Sequence, residues 1–222
     1  MSRFNDDGLE YMKAKDYEKA ANAFNQAIEA DPQDPVGFTN FGNLLIAIHE
    51  SERALAFFDK AITLDENYGA AYYGYGNALY ELERYEQAID RFGQAEKCGI
   101  TGADLHFMIG MAYTHLDRQM MALVHLQRAV ELNEGDISAR FQYALCLAKL
   151  GQVDLSVQQL NIVLDMDPKH ADAYYNLGVA LTYREAYQEA EACFKKALEI
   201  QKDHLLAANG LKMLKDRELA KS

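Results

Sequence analysis

The fold is decided by residues 38–61, which read FTNFGNLLIAIHESERALAFFDKA. This pattern returns every 34 residues, six times between residues 1 and 204, without an insertion or a deletion. Two sets of equivalent residues show the period. The Gly8 column contains Gly8, Gly42, Gly76, Gly110, Ala144 and Gly178. The Phe24 column contains Phe24, Phe58, Phe92, Leu126, Leu160 and Phe194. A fixed period of this length predicts a stack of repeats, none of which buries its apolar face alone.

Within each repeat, the apolar spacing predicts two helices. The first has apolar or small residues at i, i+3, i+4 and i+7, as in Phe38, Phe41, Gly42 and Leu45. A second stripe begins at Tyr85, after a break at residues 83–84 that is too short for anything but an antiparallel hairpin. Gly inside an exposed helix costs about 1 kcal/mol relative to Ala. We therefore interpret the Gly8 column as the place where two helices approach, with the Phe24 column filling the space beside it.

The set Phe41-Gly42, Leu45, Ala54, Phe58 and Ala61, which recurs in every repeat with few changes, resembles the tetratricopeptide repeat (TPR) family, and small stand-alone bacterial members in particular. The resemblance covers residues 1–34, 35–68, 69–102, 103–136, 137–170 and 171–204, with residues 205–222 as a capping helix. It implies an all-α fold, a right-handed superhelical solenoid of six hairpins plus the cap, in a single domain over residues 1–222. It also implies a concave groove, lined by the first helix of each repeat, that holds peptides of partner proteins.

The chain departs from this pattern in two places that affect the fold. His106 and Arg140 stand where a large apolar residue opens the first helix of the other repeats, and we expect Arg140 to pair with Asp136 one turn earlier. The C-terminal helix is expected to bury one apolar face, made of Leu205, Ala208, Leu211 and Leu214.

The composition argues against several classes of function. The chain has 222 residues and a formal charge of −12, so it should repel phosphate backbones and anionic membranes. No apolar stretch approaches the roughly 18–20 residues of a spanning helix, and the N-terminus lacks the apolar core of a secretory signal. Cys98, Cys146 and Cys193 fall at different places in their repeats, which predicts reduced thiols. We expect a cytoplasmic bacterial protein that binds neither nucleic acid nor membranes.

The candidate site lies on the face of the first helices next to the predicted core stripe. Four aromatic residues on that face recur at the repeat period and would form a ladder along the groove: Tyr73, Phe107, Phe141 and Tyr175. The alternative is that these rings pack against the next repeat. Asn side chains can both donate to and accept from a peptide backbone, and they recur on the same helices. The candidate peptide-binding residues are Asn40, Asn43, Tyr73, Asn77, Tyr80, Phe107, Met111, Phe141, Tyr175, Asn176 and Tyr183.

Other chemistry has little support in the sequence. His106, His115 and His125 lie close together in sequence, but no second ligand follows at metal spacing on the same face. The chain has no Gly-rich phosphate loop and no nucleophile elbow. We therefore expect no catalytic residues, no metal site and no cofactor, and we expect that the protein is not an enzyme.

The sequence favours an adaptor that binds an extended or helical segment of a partner protein in the groove. Because the groove charges are mixed to acidic, a basic or apolar-aromatic segment is the expected ligand. One alternative is an accessory subunit that docks on an RNA-processing or other enzyme through its convex or edge surface. Another is self-assembly, with the tail of one molecule in the groove of the next. We expect a monomer, with weak self-association as the alternative.

Overall fold

The computed structural model describes residues 3–219, which form thirteen α-helices and no strand. The first seven are α1 (Arg3–Lys13), α2 (Tyr17–Ala30), α3 (Pro35–Ala47), α4 (Ser51–Leu64), α5 (Gly69–Glu81), α6 (Tyr85–Lys97) and α7 (Ala103–His115). The others are α8 (Gln119–Leu132), α9 (Ile137–Lys149), α10 (Val153–Met166), α11 (Ala171–Tyr183), α12 (Tyr187–Ile200) and α13 (Leu205–Leu219). The predicted all-α class and the helix hairpins are confirmed. Residues 1–2 of the first expected repeat and 220–222 of the expected cap lie outside the described residues.

The helices group into two compact units. Unit 1 is Met1–Leu116 and contains α1 to α7, and unit 2 is Asp117–Ser222 and contains α8 to α13. In each unit, consecutive helices pack on one another. The first helix of a repeat also packs on the first helix of the next, as α3 does on α5 in unit 1 and α11 on α13 in unit 2. Each unit therefore carries a surface made of side-by-side first helices.

A glycine–phenylalanine contact fixes how closely the helices of a repeat approach. A Cβ on Gly76 would lie 2.4 Å from the Phe92 ring, and one on Gly178 would lie 2.6 Å from the Phe194 ring. The Phe92 side chain is completely buried. Repeat five has the complementary change, because Ala144 takes the glycine position and the smaller Leu160 takes the phenylalanine position. The ring and the missing Cβ therefore occupy the same space, as the Gly8 and Phe24 columns predict.

The same rings also contact the following repeat. A Cβ on Gly74 would lie 2.4 Å from Phe58 of the preceding repeat, and one on Gly210 would lie 2.8 Å from Phe194. Phe58 therefore lies between its own first helix and the next one. This contact joins neighbouring repeats and restricts the rotation of one first helix against the other.

The turn between the two helices of each repeat uses one residue in the left-handed region. The five non-glycine members of this set have φ between 56° and 62°, and Gly151 has φ 75°. The full set, with one member in each repeat, is Lys15, His49, Glu83, Asp117, Gly151 and Glu185. A left-handed residue after a helix is the usual way to end it and reverse the chain. The break seen in the sequence therefore corresponds to a helix C-terminus.

Side-chain caps begin several first helices. Asp34 accepts a hydrogen bond from the Val36 amide, and Asp136 accepts one from the Ala139 amide. In α11 and α13 a histidine takes this place: His204 Nδ1 accepts from the Ala207 amide at 3.2 Å, and His170 Nδ1 accepts from the Ala173 amide at the same distance. Each histidine therefore caps its helix through Nδ1, as the aspartates do through a carboxylate oxygen.

Two predictions about side chains were wrong. Arg140 does not pair with Asp136, which is engaged as a helix cap. It is buried and donates to Gln159 Oε1 at 2.8 Å and to the carbonyl of Glu134, at the end of the preceding repeat, at 3.0 Å, which satisfies much of its guanidinium.

The apolar face predicted for α13 was right at Leu211 and Leu214 and wrong in the first turn of the helix. Leu205 is 77% exposed and Ala208 is exposed, whereas Ala207 and Leu214 are buried and Leu211 is half-buried. The reason is that α13 packs on α11 and α12, as the earlier first helices pack on their preceding repeats. Within residues 3–219, no helix follows α13 to cover the face that carries Leu205 and Ala208.

We expect Gly76→Ala and Gly93→Ala to change stability in opposite directions. Both glycines lie inside helices, so both changes gain about 1 kcal/mol of helix propensity. Gly93 has nothing within 4 Å of a new Cβ, but at Gly76 the Phe92 ring must move, an overpacking cost of about 1–3 kcal/mol. In urea unfolding, the free energy of unfolding of Gly93→Ala should therefore be higher than that of the wild type, and that of Gly76→Ala should be lower.

A double variant tests the cause of that difference. Gly76→Ala with Phe92→Leu copies the Ala144–Leu160 pair of repeat five, so it should lose less stability than the two single changes added together. Equal stabilisation by the two alanine variants would contradict the packing described for the Gly8 column.

We also expect the histidine cap to hold the start of α13. His204→Ala and His204→Asn both remove the ring, but only Asn keeps an oxygen that can accept the Ala207 amide. His204→Ala should therefore lower the free energy of unfolding by about 1 kcal/mol more than His204→Asn does. Hydrogen exchange in the first turn of α13 would show the difference, and identical exchange in the two variants would mean that the cap contributes nothing.

Candidate functional site

Unit 2 has a groove between α11 and α13, on the surface made by its first helices. Its cavity measures about 490 Å³. It is lined by Tyr175, Val179, Thr182, Tyr183, Phe194, Leu206, Asn209, Gly210, Met213 and Leu214. None of these side chains is charged, and most are apolar. The Gly210–Phe194 contact that joins repeat six to α13 forms part of the wall.

A second cavity of about 340 Å³ lies between α9 and α11 and shares Val179 and Tyr183 with the first. We call the two together the unit 2 groove. Its apolar side chains stand open to solvent, since Tyr183 is 77% exposed and Met213 is 71% exposed. Lys149 is the one charged residue among those that line the second cavity. Large exposed apolar side chains in a concave surface are typical of a site that another molecule covers.

Tyr175 lies partly in the wall of the groove and partly in the core. Its ring centroid is 6.0 Å from that of Phe194 and 5.2 Å from that of His204. His204 is buried, and its Nε2 lies 3.2 Å from Asp172 Oδ1. The buried imidazole of His204 therefore lies between Asp172 and Tyr175, and Tyr175 keeps only part of its ring available to a ligand.

Asn176 and Phe141 have mainly local contacts. The Asn176 amide donates to the Asp172 carbonyl at 2.8 Å, which leaves its oxygen free to accept from a ligand in the second cavity. Phe141 is half-buried, with its ring centroid 4.6 Å from that of His170. Phe141 and Tyr175 are the two members of the predicted aromatic ladder in unit 2. Each thus packs on the last residue of its repeat, which is His170 for Phe141 and His204 for Tyr175. Tyr175, Asn176 and Tyr183 come together at the groove.

In unit 1, Tyr73 packs toward its own repeat. Its ring centroid is 5.7 Å from that of Phe92. Burial raises the pKa of the Tyr73 hydroxyl, and a hydrogen bond from the Asn77 amide partly opposes that shift. The Asn77 oxygen is buried. The Tyr73 ring is therefore held partly in its own repeat, against Phe92 and beside Asn77, which leaves less of it available to a ligand.

The other two candidate asparagines of unit 1, Asn40 and Asn43, lie at contacts between repeats. The Asn40 amide donates to the oxygen of Asn5 at 3.1 Å, and Asn5 is completely buried. The Asn43 oxygen lies 3.0 Å from where a Cβ on Gly74 would stand, so it packs against the next first helix. Both side chains connect successive repeats.

Tyr80 belongs to a ring cluster at one end of α5. Its centroid is 5.3 Å from that of Tyr85 and 5.6 Å from that of His115, and the last two rings stack in parallel at 4.5 Å. The His115 ring therefore packs against two tyrosine rings. Phe107 and Met111 on α7 are half-buried.

Sequence reasoning missed most of the lining of the unit 2 groove, including three large apolar residues, Val179, Leu206 and Met213. Met111 was assigned to the site, and its equivalents in the following repeats are Leu145, Val179 and Met213. Val179 and Met213 line the groove between α11 and α13, together with Leu206 at its edge. The signal was the repeat period itself, continued past residue 204 into the helix expected to be only a cap.

The two units differ both in net charge and in the number of exposed hydrophobic side chains. Residues 1–116 hold 19 acidic and 9 basic side chains, a formal charge of −10, whereas residues 117–222 hold 15 and 13, a formal charge of −2. Among the described residues, twelve of the fifteen exposed large hydrophobic side chains belong to unit 2. The two units therefore present different chemistry, acidic in unit 1 and nearly neutral and apolar in unit 2.

The cysteines are free thiols. Burial, with a smaller effect of Glu189, raises the pKa of Cys193 to about 11, and burial also raises the pKa of Cys146. Both thiols are therefore protonated at neutral pH and are poor nucleophiles. Within residues 3–219, no three His, Cys, Asp or Glu side chains come together as metal ligands. None of the helices in that range combines the length and hydrophobicity needed to cross a bilayer.

Comparison with known proteins gives the same family as the repeat pattern. Tetratricopeptide repeat models match residues 8–34, 39–103 and 171–204. The DnaJ protein P58IPK homolog A of Oryza sativa subsp. japonica is 36% identical over 73 residues, 33% of this chain and 15% of that protein. The TPR repeat-containing protein YrrB of Bacillus subtilis (strain 168) is 49% identical over 41 residues, 18% of this chain and 20% of that protein. These alignments therefore span a fifth or less of the two curated relatives.

The crystal structure of YrrB, a TPR protein with an unusual peptide-binding site, gives a longer match. It is 46% identical, with a TM-score of 0.80, and the match covers 87% of this chain and 100% of that one. The family models together match more than half of the chain, and the YrrB structure is matched over its whole length. The chain therefore belongs to the tetratricopeptide repeat family.

Proposed function

We propose that this chain is a protein-interaction adaptor that binds a segment of a partner protein in the unit 2 groove. The observation that carries the proposal is the apolar wall of that groove, where Tyr183 and Met213 are mostly exposed. The similarity to YrrB, a TPR protein with a peptide-binding site, supports the same kind of role. Binding without chemical conversion is consistent with the protonated thiols, so we propose that the chain is not an enzyme.

The lining of the groove defines the chemistry of the ligand. The cavity between α11 and α13 has no charged side chain, so a charged ligand group would lose its water there without gaining a partner. An apolar or aromatic side chain of the partner fits instead, between Tyr183 and Met213. The charge of −10 on residues 1–116 favours basic residues elsewhere in the partner.

Polar groups at the groove add specificity. Asn209 and Thr182 line the cavity between α11 and α13, and Asn176 offers its oxygen in the neighbouring cavity. These groups can bond the backbone of a bound segment. Full burial of an apolar side chain contributes about 1.5–3 kcal/mol, whereas association costs on the order of 4–15 kcal/mol. We therefore propose a reversible complex that needs both the apolar contacts and the backbone hydrogen bonds, formed in the cytoplasm.

Charge placed in the groove should prevent binding. We expect Val179→Glu with Met213→Glu to reduce partner recovery from a lysate of the source organism at least about tenfold, because the carboxylates would face an apolar ligand. Both positions are exposed, so the variant should fold. Mass spectrometry would identify the partner, and limited proteolysis of the complex would isolate its bound segment, which should carry a large apolar side chain.

A matched control adds the same two charges elsewhere in unit 2. Gln158 on α10 and Ala192 on α12 are exposed and lie outside both cavities, so Gln158→Glu with Ala192→Glu should recover the partner like the wild type. If the groove variant, folded by circular dichroism, recovers every partner as well as this control does, the groove is not the binding site.

A further inference from the structure

A second apolar surface lies on α8, outside the unit 2 groove. Met120 is 63% exposed and Val124 is 64% exposed, and Met121 between them is also exposed. Leu155 on α10, the equivalent of Met121 in the next repeat, is exposed as well. We call Met120, Met121 and Val124, all on α8, the outer patch. None of these three residues lines either cavity of the groove.

The other repeats show what these positions usually hold. The residues equivalent to Met120 are Glu18, Glu52, Glu86, Asp154 and Gln188. Those equivalent to Met121 are Lys19, Arg53, Gln87, Leu155 and Glu189. Polar side chains therefore satisfy the fold at these places, and the core does not require methionine there. Exposed methionine adapts its shape to a facing surface, which suits a contact with another molecule.

The charges at the two ends of the patch identify the facing molecule. Asp117 lies in the turn before α8, where its carboxylate accepts from the Gln119 side-chain amide at 3.1 Å, and Arg128 stands one turn beyond Val124, 3.2 Å from Glu131 on the same helix. Met121 and Val124 are centred between them. If two copies of α8 lie antiparallel, Met121 of each faces Val124 of the other, and Asp117 of each faces Arg128 of the other. The surface is therefore complementary to itself in both apolar contact and charge, as a two-fold interface requires.

The distribution of net charge supports contact through this unit. Two copies of a chain with formal charge −12 repel one another, and residues 1–116 carry −10 of that charge. Residues 117–222 carry only −2, so a contact through unit 2 brings the least charged parts of two copies together. Antiparallel helices also oppose their dipoles favourably.

We propose that a second copy of this chain docks on the outer patch, with the two α8 helices antiparallel across a two-fold axis. The contact leaves both cavities of the groove open, so each copy of the dimer can still hold a partner segment. The dimer is weak, because three apolar side chains from each copy and two exposed ion pairs form a small interface.

Sedimentation velocity from about 1 µM to about 1 mM tests the proposal. The wild-type sedimentation coefficient should rise from that of a monomer to that of a dimer. Met121→Glu should raise the dimer dissociation constant at least about tenfold, because a buried carboxylate would lie against Val124 of the other copy. This variant should fold, since Glu189 occupies the equivalent position on α12, and circular dichroism would verify it. A wild type that stays monomeric throughout the range would overturn the proposal.

A charge exchange tests the antiparallel arrangement. Asp117→Arg and Arg128→Glu should each weaken the dimer, because each puts like charges together, and the double variant should restore it. Met213→Glu, in the groove, is the control and should leave the dimer unchanged. Loss of the dimer in Met213→Glu but not in Met121→Glu would overturn the proposal and indicate a tail bound in a neighbouring groove. A double variant no better than the single ones would overturn the antiparallel pairing.

Discussion

The rest of this structure depends on one contact, in which a buried phenylalanine ring occupies the space that a Cβ on the facing glycine would fill. Gly76 lets the Phe92 ring lie where a Cβ would otherwise be, and Gly74 accepts Phe58 of the preceding repeat in the same way. Each ring thus sets both the spacing within its repeat and the angle to the next one. Once those are set, the face that each first helix turns to solvent follows. The surfaces proposed to bind a partner therefore follow from this packing alone.

The open face of the first helices has the same geometry from repeat to repeat, but its chemistry changes along the chain. In unit 1 it carries Asn77, which bonds Tyr73, and Asn40, which bonds Asn5. In unit 2 the residue equivalent to Asn77 is apolar, and Val179 lines a cavity. Unit 1 engages these polar side chains in contacts within and between its repeats, whereas unit 2 leaves apolar ones uncovered. The same division separates most of the acidic charge from the exposed hydrophobic residues, which gives unit 2 the properties of an interaction surface.

The fold could be predicted from the sequence because its decisive contacts recur at a fixed spacing and involve residue types with one physical reason to be there, such as the glycine beside Phe92. The site could be predicted only in part. Tyr183 stands in the groove, but Met213 was missed because the pattern was followed only to residue 204. Arg140 found its partner in Gln159, on the following helix, which a rule for neighbours on one helix does not reach. The buried face of α13 depends on which helices surround it, and the periodicity of one isolated helix does not fix that face in the first turn.

Methyl NMR of the protein labelled at methionine tests the central claim most directly, since its eight methionines include Met213 in the unit 2 groove and Met120 and Met121 on α8. A captured partner segment would be added at constant protein concentration, with Met213→Leu used to assign its signal. The account predicts that the Met213 methyl signal shifts with the saturation of the segment while those of Met120 and Met121 stay in place. A titration in which the α8 methionines shift and Met213 does not would contradict it.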